Sequence, residues 1–399
     1  MVGILGLFVL LGIAWALSVN RRAINWRIVV TGTAFQFVFA LLILKTNVGK
    51  TIFAAASDAI TAFLGFTGKG SEFIFGADYK EHFFAFQVLP TIIFFSAFIT
   101  VLYYLGILQA VVKVFARLMV KLMGTSGAES LSASANIFVG QTEAPILIRP
   151  YVATMTKSEL MAVMTGGFAT IAGGVMAAYV AMGIDAGHLL AASVMSAPAA
   201  LVMSKMMFPE TEESQTAGTV KISVERPWAN VIDAAASGAA DGLKLALNVG
   251  AMLLAFIALI AVVNALIGTT AGWIGFEGVT LEVLLGWICR PLAWVMGVPW
   301  AEAGDVGSLI GIKTVVNEFV GYEMLARMQT AGVLSEKSKV IAIYCLCGFS
   351  NFSSIAIQIG GIGGMAPERK SDLARLGLRA MVAGSLACFQ TATIAGFLI

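Results

Sequence analysis

The sequence predicts an all-α membrane protein with eight transmembrane helices, two re-entrant hairpins of opposite orientation, interfacial helices and an inverted internal repeat. Three observations carry that prediction. Of 399 residues, 59% are hydrophobic and only 12% are charged, with a mean hydropathy of +0.89; soluble domains carry about 25% charged residues. Apolar runs long enough for a bilayer, about 20 residues each, recur along the chain. Two further apolar runs, 130–148 and 306–322, each hold an isolated acid near the centre, Glu143 and Glu318. A carboxylate at mid-membrane costs about 2.5 kcal/mol or more, so neither run suits a lipid-facing span.

The first apolar run, 2–19, has no basic residue before it and no small-residue cleavage pattern after it, so it reads as a first transmembrane helix, not a signal peptide. The other expected spans are 28–44, 83–112, 160–184, 187–204, 245–268, 340–365 and 380–399. Segment 114–123 interleaves Arg117 and Lys121 with bulky apolar residues, and 280–296 mixes Glu282, Trp287, Arg290 and Trp294 with leucines. Both suit helices lying in the interface plane. The polar stretch 209–227 reads as a cytoplasmic connection between two halves.

Most of the 25 basic residues fall in alternate loops: Arg21, Arg22 and Arg27; Lys113 to Lys157; Lys205, Lys221, Arg226 and Lys244; Arg369 to Arg379. By the positive-inside rule these loops are cytoplasmic and both termini lie outside. Run 130–148 then enters from the cytoplasm and 306–322 from outside. A full crossing by either would break the charge pattern, so both read as re-entrant hairpins.

Other function classes find little support. The basic residues are scattered, which argues against nucleic acid. His82 and His188 stand alone, and Cys289, Cys345, Cys347 and Cys388 lie in or beside apolar runs with no disulfide framework. An intramembrane enzyme using Glu143 and Glu318 would need a paired nucleophile and base or a metal cluster, and neither pattern is present. A passive channel is a further alternative.

Each hairpin is followed by a charged turn and an interrupted span. The first interruption reads Gly167-Phe168-Ala169-Thr170-Ile171-Ala172, the second Gly348-Phe349-Ser350-Asn351-Phe352-Ser353. The two spans run in opposite directions. Inverted repeats with broken helices mark secondary transporters, whose sites lie at the repeat interface near the midplane.

Pro145 disfavours helix at Ala144 and suits the first turn of a new one, so the first hairpin breaks at Gln141-Thr142-Glu143. Such a break exposes backbone N–H groups and free carbonyls. Gln141, Thr142 and Glu143 offer donors and acceptors for a neutral heterocycle or a polyol. The Asn136 amide oxygen and the Val139 carbonyl, with Thr170 and the Ile171 carbonyl, suit a hard cation such as sodium. In the second half Glu318, Asn351, Ser353 and Ser354 suit sugar hydroxyls, with Phe349 for apolar contact. Ser353 is expected to serve helix packing and Lys313 to hold its hairpin. Gln36, Gln87 and Gln390 are expected to bond between helices.

The runs Asn136-Ile137-Phe138-Val139-Gly140-Gln141-Thr142-Glu143-Ala144-Pro145, Gly167-Phe168-Ala169-Thr170-Ile171-Ala172-Gly173, Asn317-Glu318-Phe319 and Cys347-Gly348-Phe349-Ser350-Asn351-Phe352-Ser353-Ser354 resemble, in order, those of the concentrative nucleoside transporters. The resemblance spans essentially the whole chain. It implies a homotrimer in the inner membrane that takes up nucleosides such as uridine with co-transported sodium ion as an elevator-type symporter, with proton coupling as the alternative. It assigns the nucleobase to Gln141, Thr142, Glu143 and Val175, the ribose to Glu318, Asn351 and Ser354 with Phe349 beside them, and sodium to Asn136, Val139, Thr170 and Ile171. It divides the chain into scaffold (1–123 and 209–300) and transport domain (124–208 and 301–399).

Overall fold

In the computed structural model, residues 2–218, 227–273 and 275–399 are described. Every regular element among them is helical. Lys221, Arg226 and the rest of 219–226 in the expected 209–227 connection lie outside the described residues.

The chain opens with α1 (Val2–Ala16) and α2 (Trp26–Lys45). The Asn25 side chain accepts from the Arg27 backbone N–H at 3.1 Å and so caps the start of α2. There follow α3 (Asn47–Gly65) and α4 (Thr67–Phe75), where the sequence reading expected no element. Lys50, Ser57, Asp58 and Thr61 interrupt the apolar residues there, so a search for unbroken apolar runs passes over these helices. The expected span 83–112 is also corrected. A π-helical turn at Phe84–Val88 leads into α5 (Leu89–Tyr104), and Gly106 at φ +80° turns the chain. A new helix, α6 (Ile107–Met123), starts there and absorbs the expected interfacial segment 114–123.

The first hairpin begins with α7 (Gly127–Ala135), started by a capping box between Ser126 and Glu129. Regular helix ceases at Ala135, and residues 136–143 are irregular. A 3-10 turn at Ala144–Ile148, with Pro145 in its first turn, and the short α8 (Arg149–Val152) form the return arm. The break is therefore longer than Gln141-Thr142-Glu143 and starts at Asn136. Then come α9 (Lys157–Ala169), a three-residue interruption, α10 (Gly173–Ala181) and the unbroken α11 (Ala186–Met207).

The 43-residue α12 (Val231–Trp273) lies against α5, and α13 (Leu281–Val295) lies against the following hairpin. That second hairpin pairs α14 (Ala303–Val315) with α15 (Glu318–Thr330) across a tight break at Val316-Asn317. It is followed by α16 (Glu336–Leu346), an interruption, α17 (Phe352–Met365) and α18 (Lys370–Leu398). Seven helical stretches among the described residues are long and apolar enough to cross a membrane; they include 47–75, while α1 and α17 are shorter apolar helices.

Burial separates two kinds of helix. Of the most apolar window in each, 94% is buried across α9–α10, 89% in α11 and 83% in α18, against 28% in α2 and 11% in α12. The inner group packs mutually: α11 on α9 and α18, α18 on α9, α16 and α17. The outer helices keep wide apolar faces exposed, as lipid-facing or partner-facing helices do.

The two interrupted helices cross at their breaks. Phe349 N–H donates to the Thr170 carbonyl at 3.2 Å, and Ser350 Oγ donates to the Phe168 carbonyl at 2.7 Å. Gly384 of α18 admits this crossing, because a Cβ there would lie 2.4 Å from Phe168 Cβ. The helix caps also refine the repeat. Thr156 and Ser335 start α9 and α16 by side-chain caps, and Ala172 and Asn351 precede α10 and α17. Both pairs have one separation in the chain, and it differs by two residues from that of the matched Gly-Phe pairs.

Candidate functional site

The ends of the broken elements meet around a cavity of about 180 Å³. Gln141, Thr142 and Glu143 reach it from the first hairpin's break, Val175 from the first turn of α10, and Glu318 from the start of α15. Phe349, Asn351 and Ser354 reach it from the second interrupted helix. All eight residues assigned to substrate by the resemblance thus line one space.

A continuous hydrogen-bond chain runs along its wall. Glu318, 5% exposed, accepts from Tyr179 Oη at 3.2 Å through Oε1 and from Asn351 Nδ2 at 2.9 Å through Oε2. Asn351 Oδ1 caps α17, accepting from the Ser354 backbone N–H at 2.9 Å and from Ser353 Oγ at 2.7 Å. Ser354 Oγ accepts from Gln141 Nε2 at 3.3 Å, and Gln358 Nε2 donates to Gln141 Oε1 at 3.0 Å and to the Met164 carbonyl at 3.1 Å. Both hairpins and both interrupted helices share this network, so a shift in one element disturbs the others.

The electrostatics follow from the breaks. Helices α15 and α17 begin at the cavity behind Asn317 and Asn351, with their positive dipole ends there. Glu318, in the first turn of α15, is favoured by that end. Glu143 is exposed toward the cavity, and Gly140 leaves room for it, since a Cβ there would lie 2.3 Å from Glu143 Oε2. Neither acid has a salt-bridge partner among the described residues. Leu245, Val249, Met252 and Leu253 of α12 close the opposite side with apolar surface.

The four residues assigned to sodium lie on two stretches, 136–139 and 170–171, whose neighbouring residues are bonded together beside this cavity. Asn136 is fully buried; its Nδ2 donates to the Ser132 carbonyl at 3.0 Å, while Oδ1 has no hydrogen-bond partner among the described residues. Thr170, also buried, donates from Oγ1 to the Gly166 carbonyl at 2.8 Å. Gly173 N–H donates to the Phe138 carbonyl at 3.2 Å, which holds the stretch containing Val139 against the stretch containing Ile171. An unmatched buried amide oxygen costs about 1–3 kcal/mol. A hard cation ligated by oxygen would satisfy it, so these residues fit a sodium ion.

Sequence reasoning missed several participants. Tyr179 lies one turn beyond Val175 on α10, and Gln358 one turn beyond Ser354 on α17. Spacing by four from a recognised residue was the available signal. The α12 wall had none, since four apolar residues in an apolar span are unremarkable. Ser353, whose hydroxyl suits a sugar but whose expected role is helix packing, bonds Asn351 and lines the cavity. Lys313 donates to the Cys345 carbonyl at 2.8 Å, which ties its hairpin to α16. Gln390 bonds Thr33 across helices at 3.1 Å; among the described residues the Gln36 side chain has no hydrogen-bond partner, and Gln87 Nε2 donates to the nearby Lys80 carbonyl.

Apolar helices exposed around a buried group that includes two broken ones, with a cavity that receives polar side chains from both halves, form the arrangement of a multi-pass membrane transporter. Comparison with known proteins makes this specific. Residues 188–396 match the model for the Na+ dependent nucleoside transporter C-terminus, 5–78 that for its N-terminus, and 85–186 a model described as "Gate: Nucleoside recognition". An "Uncharacterized transporter" of Haemophilus influenzae is 51% identical, over 99% of this chain and 97% of that one. Sodium/nucleoside cotransporter 1 of Mus musculus is 42% identical, over all of this chain and 64% of its own length. The solved structure of CNTnw in an inward-facing substrate-bound state matches with a TM-score of 0.95 at 47% identity, covering 100% of this chain and 98% of that one. An outward-facing state of a CNTnw variant matches with a TM-score of 0.96 at 46% identity, covering 100% and 97%. The chain belongs to the sodium-dependent, concentrative nucleoside transporter family.

Proposed function

We propose that this protein is a sodium-driven symporter that brings nucleosides such as uridine into the cell across the inner membrane. The observation that carries this reading is the convergence of Gln141, Thr142, Glu143, Val175, Glu318, Phe349, Asn351 and Ser354 on one cavity, beside a buried Asn136 Oδ1 that has no donor. Gln141, Thr142 and Glu143 bind the base edge, with Val175 packing on the base. Glu318, Asn351 and Ser354 bind ribose hydroxyls, and Phe349 covers the sugar. Sodium binds Asn136 Oδ1, Thr170 Oγ1 and the carbonyls of Val139 and Ile171.

In this scheme sodium acts first on backbone. The irregular stretch 136–143 carries a sodium ligand at one end and base-binding residues at the other, so ion binding orders the segment that meets the base. By linkage nucleoside must then raise sodium affinity by the same factor. The inner helices, with both hairpins (124–208 and 301–399), move as a unit against a scaffold formed by 1–123 and 209–300. The deep burial of α9–α11 and α18 beside the exposed α2 and α12 supports that division. Eight spans, two re-entrant hairpins, outward-facing termini and a homotrimer complete the reading; the resemblance and the distribution of basic residues support them.

The test is uptake of labelled uridine into proteoliposomes. An imposed inward sodium gradient should drive accumulation of unchanged uridine above the outside concentration. Uptake driven by a proton gradient and indifferent to sodium would replace this reading with proton coupling, and failure to accumulate would favour a passive channel.

A further inference from the structure

Lys313 is a buried charge that the scheme above leaves unused. Its side chain sits in the last turn of α14 and is 1% exposed, and no acid lies within salt-bridge distance of it among the described residues. Nζ donates to the Cys345 carbonyl at 2.8 Å, in the last turn of α16. That helix ends in the interior, at the interruption. Its terminal carbonyls carry the negative end of the helix dipole; those of Ile343, Tyr344 and Leu346 accept from Tyr322 Oη and from the Cys347 and Gly348 N–H groups, and Lys313 supplies the donor and the positive charge at Cys345.

The same problem recurs in the first repeat with a different solution. The separation that relates Thr156 to Ser335 and Ala172 to Asn351 also carries Gly166 onto Cys345. The Gly166 carbonyl, near the interior end of α9, accepts from Thr170 Oγ1 at 2.8 Å. Beside it stands Asn136 from the end of α7, whose Nδ2 would lie 3.2 Å from a Cβ on Gly166. In each repeat, then, a side chain from the end of the hairpin's first arm reaches the same register of the following interrupted helix. In the first that side chain is an amide with its oxygen unmatched; in the second it is an ammonium.

We propose that Lys313 is a resident cation: its ammonium serves in the second repeat the place that a sodium ion serves in the first. This rests on the sodium reading of Asn136 given above. Because Lys313 travels with the protein in both the loaded and the empty return step, it adds no net charge to the cycle. It thereby limits the coupling stoichiometry to one sodium, although the fold repeats the geometry twice. Removing the tethered charge and supplying an amide oxygen should open a second sodium site.

The experiment compares the wild type with Lys313→Asn in proteoliposomes, reading the sodium dependence of uridine uptake and the charge moved per uridine. The wild type should show a Hill coefficient for sodium of about 1, rising toward about 2 in the variant, with the charge per uridine doubled. Sodium-dependent uptake by the variant with unchanged Hill coefficient and charge ratio overturns the inference while leaving the sodium reading intact. Wild-type uptake indifferent to sodium overturns the reading beneath it instead. Should Lys313→Asn not transport, thermal melting of the purified protein in sodium against choline decides. A larger sodium-induced rise in melting temperature than in the wild type supports a second site, because each bound ion stabilises the native state. An equal or smaller rise overturns it.

Discussion

The backbone N–H of Phe349 donates to the carbonyl oxygen of Thr170 at 3.2 Å, so the interruption in one repeat is bonded to the interruption in the other. Thr170 stands among the proposed sodium ligands and Phe349 lines the cavity. A rearrangement of either interruption must therefore be felt by the other. This one backbone bond, together with Ser350 Oγ on the Phe168 carbonyl, gives ion and substrate a short physical route for coupling.

Crowding that crossing should be costly. Gly384→Ala places a Cβ 2.4 Å from Phe168 Cβ and 3.1 Å from its carbonyl carbon. Overpacking of this kind destabilises by about 1–3 kcal/mol. The variant should melt several degrees below the wild type in detergent and lose uridine uptake; unchanged melting and uptake would show that the crossing tolerates separation.

Asn136→Ala removes the one buried amide oxygen at the sodium site that lacks a donor. The sodium concentration for half-maximal uptake should rise roughly tenfold or more, the equivalent of about 1.4 kcal/mol. Uridine affinity at saturating sodium should change far less. A sodium curve that does not move would remove Asn136 from the site.

Glu318→Gln keeps the shape of the side chain and removes its charge. Hydrogen bonds to charged groups contribute about 1.5–3 kcal/mol, so uridine affinity should fall roughly ten- to a hundredfold. Binding of 2′,3′-dideoxyuridine, which offers no ring hydroxyls, should fall much less. Competition assays with the two ligands read this directly; equal losses for both would contradict a ribose role.

A second buried charge cluster makes a stability prediction away from the cavity. Lys205 Nζ lies 2.7 Å from Glu129 Oε2, 2.9 Å from Ser158 Oγ and 3.3 Å from Glu210 Oε2, which ties the root of the first hairpin to α9 and α11. Lys205→Met leaves Glu129 buried without its counter-charge, at a cost of about 3–5 kcal/mol. The melting temperature should drop sharply, and adding Glu129→Gln should recover part of the loss. Additive losses in the double variant would mean that the two side chains are not coupled.

Much of this architecture was legible in the chain because lipid permits few solutions. Long apolar runs, isolated acids at Glu143 and Glu318, and Pro145 after a polar triplet each point to one local structure. Helices 47–75 were not legible, since amphipathic segments do not show as unbroken apolar runs. The end of α5 was missed because it depends on the positive φ of Gly106, which an otherwise apolar sequence hides. At the site, side chains bearing chemistry in short motifs were found, whereas Tyr179 and Gln358 came into view only through their contacts. The register between repeats needed the helix caps, because a short Gly-Phe match can slide by two residues without losing its similarity.

Sodium and nucleoside are held here to bind one coupled unit joined across two helix breaks. The most direct test is the uridine dissociation constant of the purified protein, measured calorimetrically in sodium and in equimolar choline. Coupling free energies of 1–3 kcal/mol are typical, so uridine should bind about fivefold to 150-fold tighter in sodium. Equal uridine affinity in the two salts would contradict the account.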